Sequence, residues 1–483
     1  MYRPASLMRL LLPELTPETF ALEAAASILN DPAEVGAFVL RERDAIRDQG
    51  LTGLGAAARY SDVVDAALRR ILALARAKVG ASAMDEAASG VAIVATGGYG
   101  RRELAPFSDI DVTFIPQRED DPVVDALVRS LFQMMMDALT RTAALKVGYA
   151  YRVADDCGSL KLQTQTSLVD SRFVAGDYEL YADFRQTLRR QINPAHFVLN
   201  KEWERRVARE SAGGTIYGVE PDLKSGPGGL REIHTATWMA QVRFGIWSPA
   251  VWEELIDRDV VTFRQVERMY EAIEFLHTLR NALHWRAGKQ DDLLLMAQQS
   301  DIAEGLGFGA TEVLTPSQNL MAVYFRHAEH INRISQRVVH WVLDSRLDLG
   351  SGLSCVRRRV ECTSPELFLS QPSNLIRAFF LAQSLGIGFS PDLETLISGA
   401  IEGPGALKPD GECGPLLLRI LEAPERVAVS LTIMAQMGVL GWILPEFAPL
   451  MTLAPRNSAH EYTVGYHSLE VVRRLEGMRE ESS

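Results

Sequence analysis

VAIVATGGYGRRELAPFSDIDVTFI, residues 91–115, is the stretch of sequence that decides the fold. It begins with VAIVAT, a continuous apolar and partly β-branched run that is typical of a buried strand. After a glycine-rich turn, Asp109, Asp111 and Thr113 alternate with apolar residues, and this period of two predicts a second strand with one polar face. The two strands predict a small α/β domain over residues 85–180, embedded in helices.

The polar face of the second strand carries a pair of carboxylates. Asp109 and Asp111 lie two positions apart and therefore project from the same side of a strand. Such a pair repels itself unless a cation lies between, and it suits the Mg²⁺ ions of phosphoryl transfer. Gly97 and Gly98 end the first strand, where the lack of side chains lets backbone N–H groups approach a phosphate. Either motif alone is a weak signal, and DID alone is more typical of a solvated strand end, but their order and spacing favour a nucleotide site.

Helical spacing dominates the rest of the chain. It predicts helix over most of 159–210, a glycine- and proline-rich interruption at 211–233 and a helix around 373–385, while ALKVGYAYRV (144–153) predicts a third strand. We expect a surface loop at 403–415. The expected segments are an N-terminal helical segment (1–84), the domain at 85–180, a helical domain (181–348), a linker with helices (349–450) and a last segment (451–483).

Composition limits the classes of function. The net charge of -12 argues against nucleic-acid binding through a general positive field. No secretion signal begins the chain, and no uncharged apolar run is long enough to span a membrane. The 4 cysteines form no CxxC pair, so reduced thiols are expected rather than zinc or disulfides. We therefore expect a cytoplasmic protein that binds neither nucleic acid nor membrane.

Four segments carry a resemblance to a known family. The order of strand, Gly-Gly and Asp-Ile-Asp resembles the nucleotidyltransferase superfamily typified by DNA polymerase β. More closely, GGYGRRELAPFSDIDVTFI (97–115) resembles the signature of the bacterial PII-protein uridylyltransferase/uridylyl-removing enzymes. The further segments that resemble this family are PDLKSGPGGLREIHTATWMA (221–240), LRNALHWRAGKQDDLLL (279–295), and LEAPERVAVSLTIMAQMGVLGWILPEF (421–447) with HEYTVGYHSLEVVRRL (460–475).

The resemblance implies a fold and an activity. The fold is α+β: a polymerase-β-like nucleotidyltransferase domain with a small mixed sheet, then an all-α domain and the beginning of an HD phosphohydrolase domain. The activity is transfer of UMP from UTP to a tyrosine hydroxyl of the PII signalling protein, with two Mg²⁺ ions. The alternatives are adenylylation of glutamine synthetase or another protein, and a non-catalytic module that holds nucleotide or PII. The HEYTV segment (460–464) favours the first reading over adenylylation.

The resemblance also implies roles for individual residues. Asp109 and Asp111 would be the metal-binding and catalytic carboxylates, and Asp170 would be the third carboxylate, unless it is a helix-surface aspartate. The expected triphosphate residues are Gly97, Gly98, Ser108 and Arg101. Arg101 is alternatively a surface arginine.

Two later motifs are less specific. Lys224 and Arg231 would either reach the nucleotide or act as structural ion-pair partners. A polar stripe on one predicted helix, made of His277, Arg280, Asn281 and His284, is expected to form a buried network against the catalytic domain rather than a metal site.

The last segment departs from the family pattern. His467 takes the position of the first metal-binding histidine of HD phosphohydrolases, but Gly465 and Tyr466 precede it where the family has Asp-Glu. The sequence contains no His-Asp doublet, so uridylyl removal is not expected from this chain. The glutamine-sensing ACT domains would occur only in a full-length form. Both a fragment and a natural short form fit these observations.

Overall fold

A computed structural model of the protein describes residues 16–80, 90–118, 121–153, 157, 160–247, 250–423, 425–454 and 462–480. These residues fall into two compact units. The first comprises the described residues up to Asn193 together with Glu204–Val339, and the second comprises Pro194–Trp203 and the described residues from His340 onward. The five segments expected from the sequence stay predictions.

Three helices precede the sheet of the first unit: α1 (Pro17–Ser27), α2 (Pro32–Asp48) and α3 (Gly53–Val79). Their starts follow from local chemistry, since the Thr16 hydroxyl accepts the Thr19 N–H and the Asp31 carboxylate accepts the Glu34 N–H. Helix α3 is long and mostly buried along one face, and it ends at Gly80 in the left-handed region. The predicted helical character of this segment is confirmed for its described residues.

A four-stranded mixed sheet forms the centre of the first unit. Its strands are β1 (Val91–Ala95), β2 (Ile110–Pro116), β3 (Val147–Tyr151) and β4 (Arg172–Gly176), in the order β3-β2-β1-β4. Strand β1 is antiparallel to β2 and β4, whereas β3 is parallel to β2. The three predicted strands are confirmed, and so is the α+β class. The prediction of helix over most of 159–210 is confirmed, but the range also contains strand β4, which the sequence did not predict and which is stabilised by pairing with β1.

Helices surround this sheet and continue the unit. A short turn, α4 (Gly97–Gly100), follows β1, and α5 (Pro122–Met135) continues into a π-helical segment, Met136–Thr142. The following helices are α6 (Leu162–Val169), α7 (Tyr178–Gln191), α8 (Pro194–Ser211), α9 (Leu230–Phe244), α10 (Val251–Asp257), α11 (Phe263–Ala287), α12 (Met296–Gly305) and α13 (Pro316–Asp344). The predicted interruption at 211–233 ends where α9 begins.

The second unit contains a sheet that the sequence pattern did not predict. Strands β5 (Leu347–Gly350), β6 (Leu353–Val356), β7 (Arg359–Cys362) and β8 (Gly388–Phe389) follow one another across it. They have two to four residues each, too few to show a period. The helices of this unit are α14 (Pro365–Leu369), α15 (Ser373–Leu385), α16 (Pro391–Ile401), α17 (Cys413–Leu421), α18 (Val427–Gln436), α19 (Val439–Ile443) and α20 (Val464–Glu480), with a 3₁₀ turn at Ala448–Met451.

Several segments predicted from the sequence can be compared with the described residues, in some cases only in part. The helix predicted around 373–385 is α15, and the loop predicted at 403–415 is confirmed up to the start of α17. Residues 460 and 461 of the HEYTV segment lie outside the described residues, whereas His467 lies in α20. All four cysteines are free. None of the helices within the described ranges is both long and apolar enough to cross a membrane.

Candidate active site

The carboxylate pair lies where β2 begins. Asp111 belongs to the strand, and Asp109 precedes it by one residue. Asp109 Oδ1 is buried without a hydrogen-bond partner among the described residues, and the Lys146 ammonium lies 3.5 Å from it. Burial and the neighbouring charge of Asp109 raise the pKa of Asp111, while the more distant Lys224 opposes this shift. The pair therefore carries a repulsion that a bound cation would relieve.

A glycine on the neighbouring strand makes room for one of these carboxylates. Gly148 of β3 pairs with Asp111 across the sheet. A Cβ atom at Gly148 would lie 2.3 Å from Asp111 Oδ1, so no other residue fits here without moving the carboxylate. Gly148 was not among the site residues predicted from the sequence. The available signal was a glycine inside a predicted strand, which often marks a close approach.

The glycine turn after β1 faces the same carboxylate. Gly97 has a φ of 57°, in the left-handed region, and a Cβ atom there would lie 3.4 Å from Asp111 Oδ2. The Thr96 N–H donates to the Asp111 carbonyl at 3.0 Å, which fixes the turn beside the strand. Gly98 follows in α4, and Ser108 directly precedes Asp109. The structure thus brings the Gly-Gly turn and the carboxylate strand together, while binding of a nucleotide by these residues stays a prediction.

A buried ion-pair cluster fixes the glycine turn to the first helices. The Tyr99 hydroxyl donates to Asp65 Oδ1 at 2.6 Å, and Arg172 donates to both oxygens of the same carboxylate, at 2.6 and 2.9 Å. Burial alone would raise the pKa of Asp65, but the charge and hydrogen bonds of Arg172 outweigh it and lower the pKa. Because all three groups are buried, removing one would leave the others without their partner.

Arg101 lies inside a second network and not at the surface. Its Nε donates to Glu103 Oε2 at 2.8 Å, and its Nη1 donates to Asp170 Oδ2. Trp238 donates from Nε1 to Asp170 Oδ1 at 2.8 Å, and His234 Nε2 lies 2.9 Å from Glu103 Oε2. The sequence-based alternative of a surface arginine was wrong, since only 20% of the Arg101 side chain is exposed and two carboxylates bind its guanidinium.

The structure does not gather the predicted third carboxylate with the first two. Both oxygens of Asp170 accept hydrogen bonds, from Arg101 and from Trp238. Among the described residues no group of three or more histidine, cysteine, aspartate or glutamate side chains is arranged to hold a metal ion. The alternative of a helix-surface aspartate was also wrong, since only 6% of the Asp170 side chain is exposed. Its catalytic role stays a prediction.

A third network joins the later motifs to the strand. Asp292 Oδ1 accepts from Arg280 Nε at 2.7 Å and lies 3.3 Å from His284 Nε2, while Lys224 Nζ lies 3.9 Å from Oδ2. The Phe107 N–H donates to His284 Nδ1, so the proton of this ring is on Nε2, which donates to Asp292. Burial would raise the pKa of Asp292, but His284 and Arg280 hold it well below its usual range.

The predicted buried polar stripe of α11 is therefore confirmed. His284 bonds the segment just before Asp109, and Asn281 Nδ2 donates to the Gly53 carbonyl at 3.2 Å. His277 is fully buried, and neither ring nitrogen has a hydrogen-bond partner within the described part of the chain. Burial lowers the pKa of His277 to about 3, so the ring is neutral near pH 7.

The carboxylate pair fits a magnesium ion. Carboxylate oxygens are the hard donors that Mg²⁺ takes from proteins, usually one or two of them together with phosphate oxygens of a substrate. Asp109 Oδ1 accepts no hydrogen bond within the described residues, and burial and the charge of Asp109 raise the pKa of Asp111. Two neighbouring carboxylates beside a glycine turn match that donor set.

Comparison with known proteins shows which family the chain resembles. The family model described as GlnD PII-uridylyltransferase matches residues 197–339. The bifunctional uridylyltransferase/uridylyl-removing enzyme of Caulobacter vibrioides (strain NA1000 / CB15N) is 27% identical over 476 residues, covering 93% of this chain and 49% of that protein. The resemblance to the uridylyltransferase family is confirmed.

Two further relatives that carry the same name agree with this. The protein of Cereibacter sphaeroides is 29% identical over 407 residues, covering 80% of this chain and 43% of its own length. That of Bradyrhizobium sp. (strain ORS 278) is 29% identical over 455 residues, covering 87% and 47% respectively. The chain spans about half the length of these uridylyltransferase relatives.

Besides Gly148, three residues of the site were absent from the sequence-based assignment. Glu103 and Trp238 hydrogen-bond Arg101 and Asp170 respectively, and Asp292 lies 3.9 Å from Lys224. Each lies within a segment that resembles the uridylyltransferase family, which was the only available signal. Their partners lie 2 to 68 residues away along the chain, and spacing alone does not reveal such pairs.

Proposed function

We propose that this chain is a metal-dependent nucleotidyltransferase that moves UMP from UTP to a tyrosine hydroxyl of the PII signalling protein and releases pyrophosphate. The observation that carries the proposal is the pair Asp109–Asp111 beside the Gly97 turn, with a buried carboxylate oxygen left without a donor. The choice of UTP and PII is supported by the family description and by the relatives' names.

Asp109 and Asp111 would hold Mg²⁺. When bound, the ions would favour the attacking oxygen and offset the charge that grows on pyrophosphate. The residues of the chain have further tasks. Gly97 and Gly98 leave space for a phosphate beside Asp111, and the ordered segment Phe107–Asp109, held by His284, keeps the first carboxylate in place. Both tasks reduce the reorganisation needed when the nucleotide binds.

The acceptor hydroxyl must lose its proton as its oxygen bonds to the α-phosphorus and the bond to pyrophosphate breaks. The resemblance assigns this proton to a third carboxylate, for which Asp170 is the candidate. Burial raises the pKa of Asp170, against the lowering effect of Arg101. A raised pKa suits a base, but the hydrogen bonds from Arg101 and Trp238 would have to rearrange before Asp170 could accept the proton.

The rest of the proposal follows the resemblance. The first sheet with its helices would be a polymerase-β-like domain, and residues 451–483 would begin an HD domain. The enzyme would act in the cytoplasm, independently of nucleic acid and membrane. Glutamine would control only a full-length form that carries ACT domains. The mixed β3-β2-β1-β4 sheet that presents the carboxylates supports the first of these statements.

Label transfer tests the function. The chain is incubated with Mg²⁺, either α-labelled UTP or α-labelled ATP, and either PII or glutamine synthetase, and the acceptor protein is analysed for label. We expect label on PII from UTP, little from ATP, and none when EDTA removes the metal. Label from ATP alone would indicate adenylyl transfer. Tight nucleotide binding without any label on PII or on glutamine synthetase would show a non-catalytic module and contradict the proposal.

A further inference from the structure

The cations around the carboxylate pair differ in how far their charge is already balanced. Arg101 contacts two carboxylates, Glu103 and Asp170, and its guanidinium is largely enclosed, with 20% of the side chain exposed. Arg280 donates to Asp292 at 2.7 Å and is still more deeply buried. Arg280 cannot meet an incoming anion without breaking a buried ion pair, and two of the three guanidinium nitrogens of Arg101 are already engaged by carboxylates. A triphosphate would therefore be bound better if further cations contributed.

The loop before α9 brings two such cations together. Asp222 Oδ1 accepts the N–H groups of Lys224 and Ser225, at 2.8 and 2.7 Å, which tightens the start of the loop. The Arg231 N–H then donates to the Lys224 carbonyl at 2.7 Å and closes it. A Cβ atom at Gly229 would lie 2.8 Å from the Leu223 carbonyl oxygen, so the closed form needs glycine there. Lys224 and Arg231 are thus neighbours although they are seven positions apart in sequence.

Arg231 is held in place by an aromatic ring and not by a carboxylate. Its guanidinium lies 5.4 Å from the centre of the Trp238 ring, and Trp238 is itself fixed by its hydrogen bond to Asp170. Arg231 is exposed and forms no ion pair with a carboxylate in the described ranges. Partial burial and the charge of Arg101 lower the pKa of Arg231, and they outweigh the attraction of its charge by Asp170, Glu204 and Glu103. A stacked guanidinium keeps its donors free for a bidentate contact with phosphate.

Lys224 is only loosely paired. Its Nζ lies 3.9 Å from Asp292 Oδ2, beyond hydrogen-bond distance, and Asp292 is already shared with Arg280 and His284. Burial lowers the pKa of Lys224, and the nearby Arg280 and Arg231 lower it further against Asp292. Its charge also acts on Asp111. Lys224 therefore lies in an excess of positive charge that faces the carboxylate pair, an arrangement that a polyanion would stabilise.

We propose that Lys224 and Arg231 form a two-cation clamp for the triphosphate of the bound nucleotide. This inference rests on the proposed nucleotidyl transfer, and it assigns the phosphate contacts to the 222–231 loop. Asp292 and Trp238 are then positioning residues. Asp292 attracts the Lys224 ammonium, and the Trp238 ring lies against the Arg231 guanidinium.

Binding measurements on single variants test the clamp. Affinities of the full chain for UTP and for inorganic tripolyphosphate, each with Mg²⁺, are measured by calorimetry for the parent protein, Lys224→Gln and Arg231→Gln. Loss of a charge-assisted contact predicts about a 10- to 100-fold weaker affinity for both ligands in each variant. Arg231→Lys keeps the positive charge but loses the planar guanidinium that can donate two parallel hydrogen bonds to a phosphate. The affinity of this variant should therefore lie between those of Arg231→Gln and the parent.

A matched control lies on the same helix. Arg243 also belongs to α9 and also has its guanidinium over an aromatic ring, that of Phe244 at 5.1 Å. Arg243→Gln should leave both affinities unchanged. Binding of uridine, which has no phosphate, should be equal in all variants, because a clamp acts on phosphates whereas a general distortion of the site would weaken uridine as well.

The outcomes separate the clamp from the proposed function. If the parent transfers UMP but Arg231→Gln binds UTP and tripolyphosphate as tightly as the parent, the clamp is wrong and the function stands. If Arg231→Gln weakens uridine as much as UTP, the residue shapes the pocket and the clamp is again wrong. If the parent binds neither nucleotide nor tripolyphosphate, both proposals fail. Tight binding of ATP instead of UTP would support the clamp and contradict only the choice of base.

Discussion

Replacing Gly148 with alanine would place a methyl group against the Asp111 carboxylate. The added Cβ atom would lie 2.3 Å from Oδ1, well inside van der Waals contact. The carboxylate would have to move by about 1 Å, and a displacement of that size in a reacting group costs about 100-fold in rate. An off-rotamer side chain costs about 1 kcal/mol, which the gain from replacing glycine within a strand partly offsets. Gly148→Ala should therefore lose most of its activity while the free energy of unfolding changes little.

Initial rates of UMP transfer at saturating UTP, together with urea unfolding, separate these two effects. The matched control is Gly388→Ala, also a glycine within a strand, where an added Cβ atom meets no other atom. We expect the control to keep the parent rate. Transfer by Gly148→Ala at near the parent rate would refute the reasoning, because it would mean that the position of the Asp111 carboxylate does not limit the reaction.

Three further predictions concern buried polar groups. Burial lowers the pKa of His277 to about 3, below the unfolded value of about 6.5. The contribution of the neutral ring to stability is therefore complete above pH 6.5 and is lost as the pH falls from there towards 3. Over this range the free energy of unfolding should fall by up to about 1.4 kcal/mol per pH unit. His277→Leu should flatten the pH dependence of the unfolding free energy, and an unchanged slope would contradict this assignment. Asp65→Ala leaves the buried Arg172 without its carboxylate and should cost about 3–5 kcal/mol in urea unfolding, whereas a loss below 1 kcal/mol would count against the buried ion pair. Asp292→Ala removes the acceptor of Arg280 and should lower the unfolding free energy by about 2 kcal/mol and weaken UTP binding; unchanged binding would show that Asp292 does not support the nucleotide site.

The sequence predicted the parts of the fold whose patterns are local. Strand β2 has a period of two, and β1 is a continuous apolar run, so both are visible in the sequence alone. Strand β4 and the sheet of the second unit were missed, because they are short and are stabilised by pairing with strands distant in the chain. Local pattern cannot report such pairing.

The candidate site shows the same division. The proximity of Gly97 to Asp111 followed from a short connection between neighbouring strands. The pairing of Gly148 with Asp111 and the hydrogen bond from Trp238 to Asp170 depend on tertiary contacts. Residue type alone also failed to distinguish Arg101, whose positive charge is balanced by two carboxylates, from the other arginines of the quoted motifs.

The most direct test of the central claim is the rate of UMP transfer to PII by Asp109→Asn and Asp111→Asn at saturating Mg²⁺ and UTP. Each change removes one negative charge and keeps the size of the side chain. Because metal-held charge contributes several kcal/mol to such reactions, the rate should fall by at least about 100-fold in either variant, with circular dichroism and urea unfolding close to those of the parent. A folded variant of either kind that transfers UMP within about threefold of the parent rate would contradict the placement of the catalytic site on this strand.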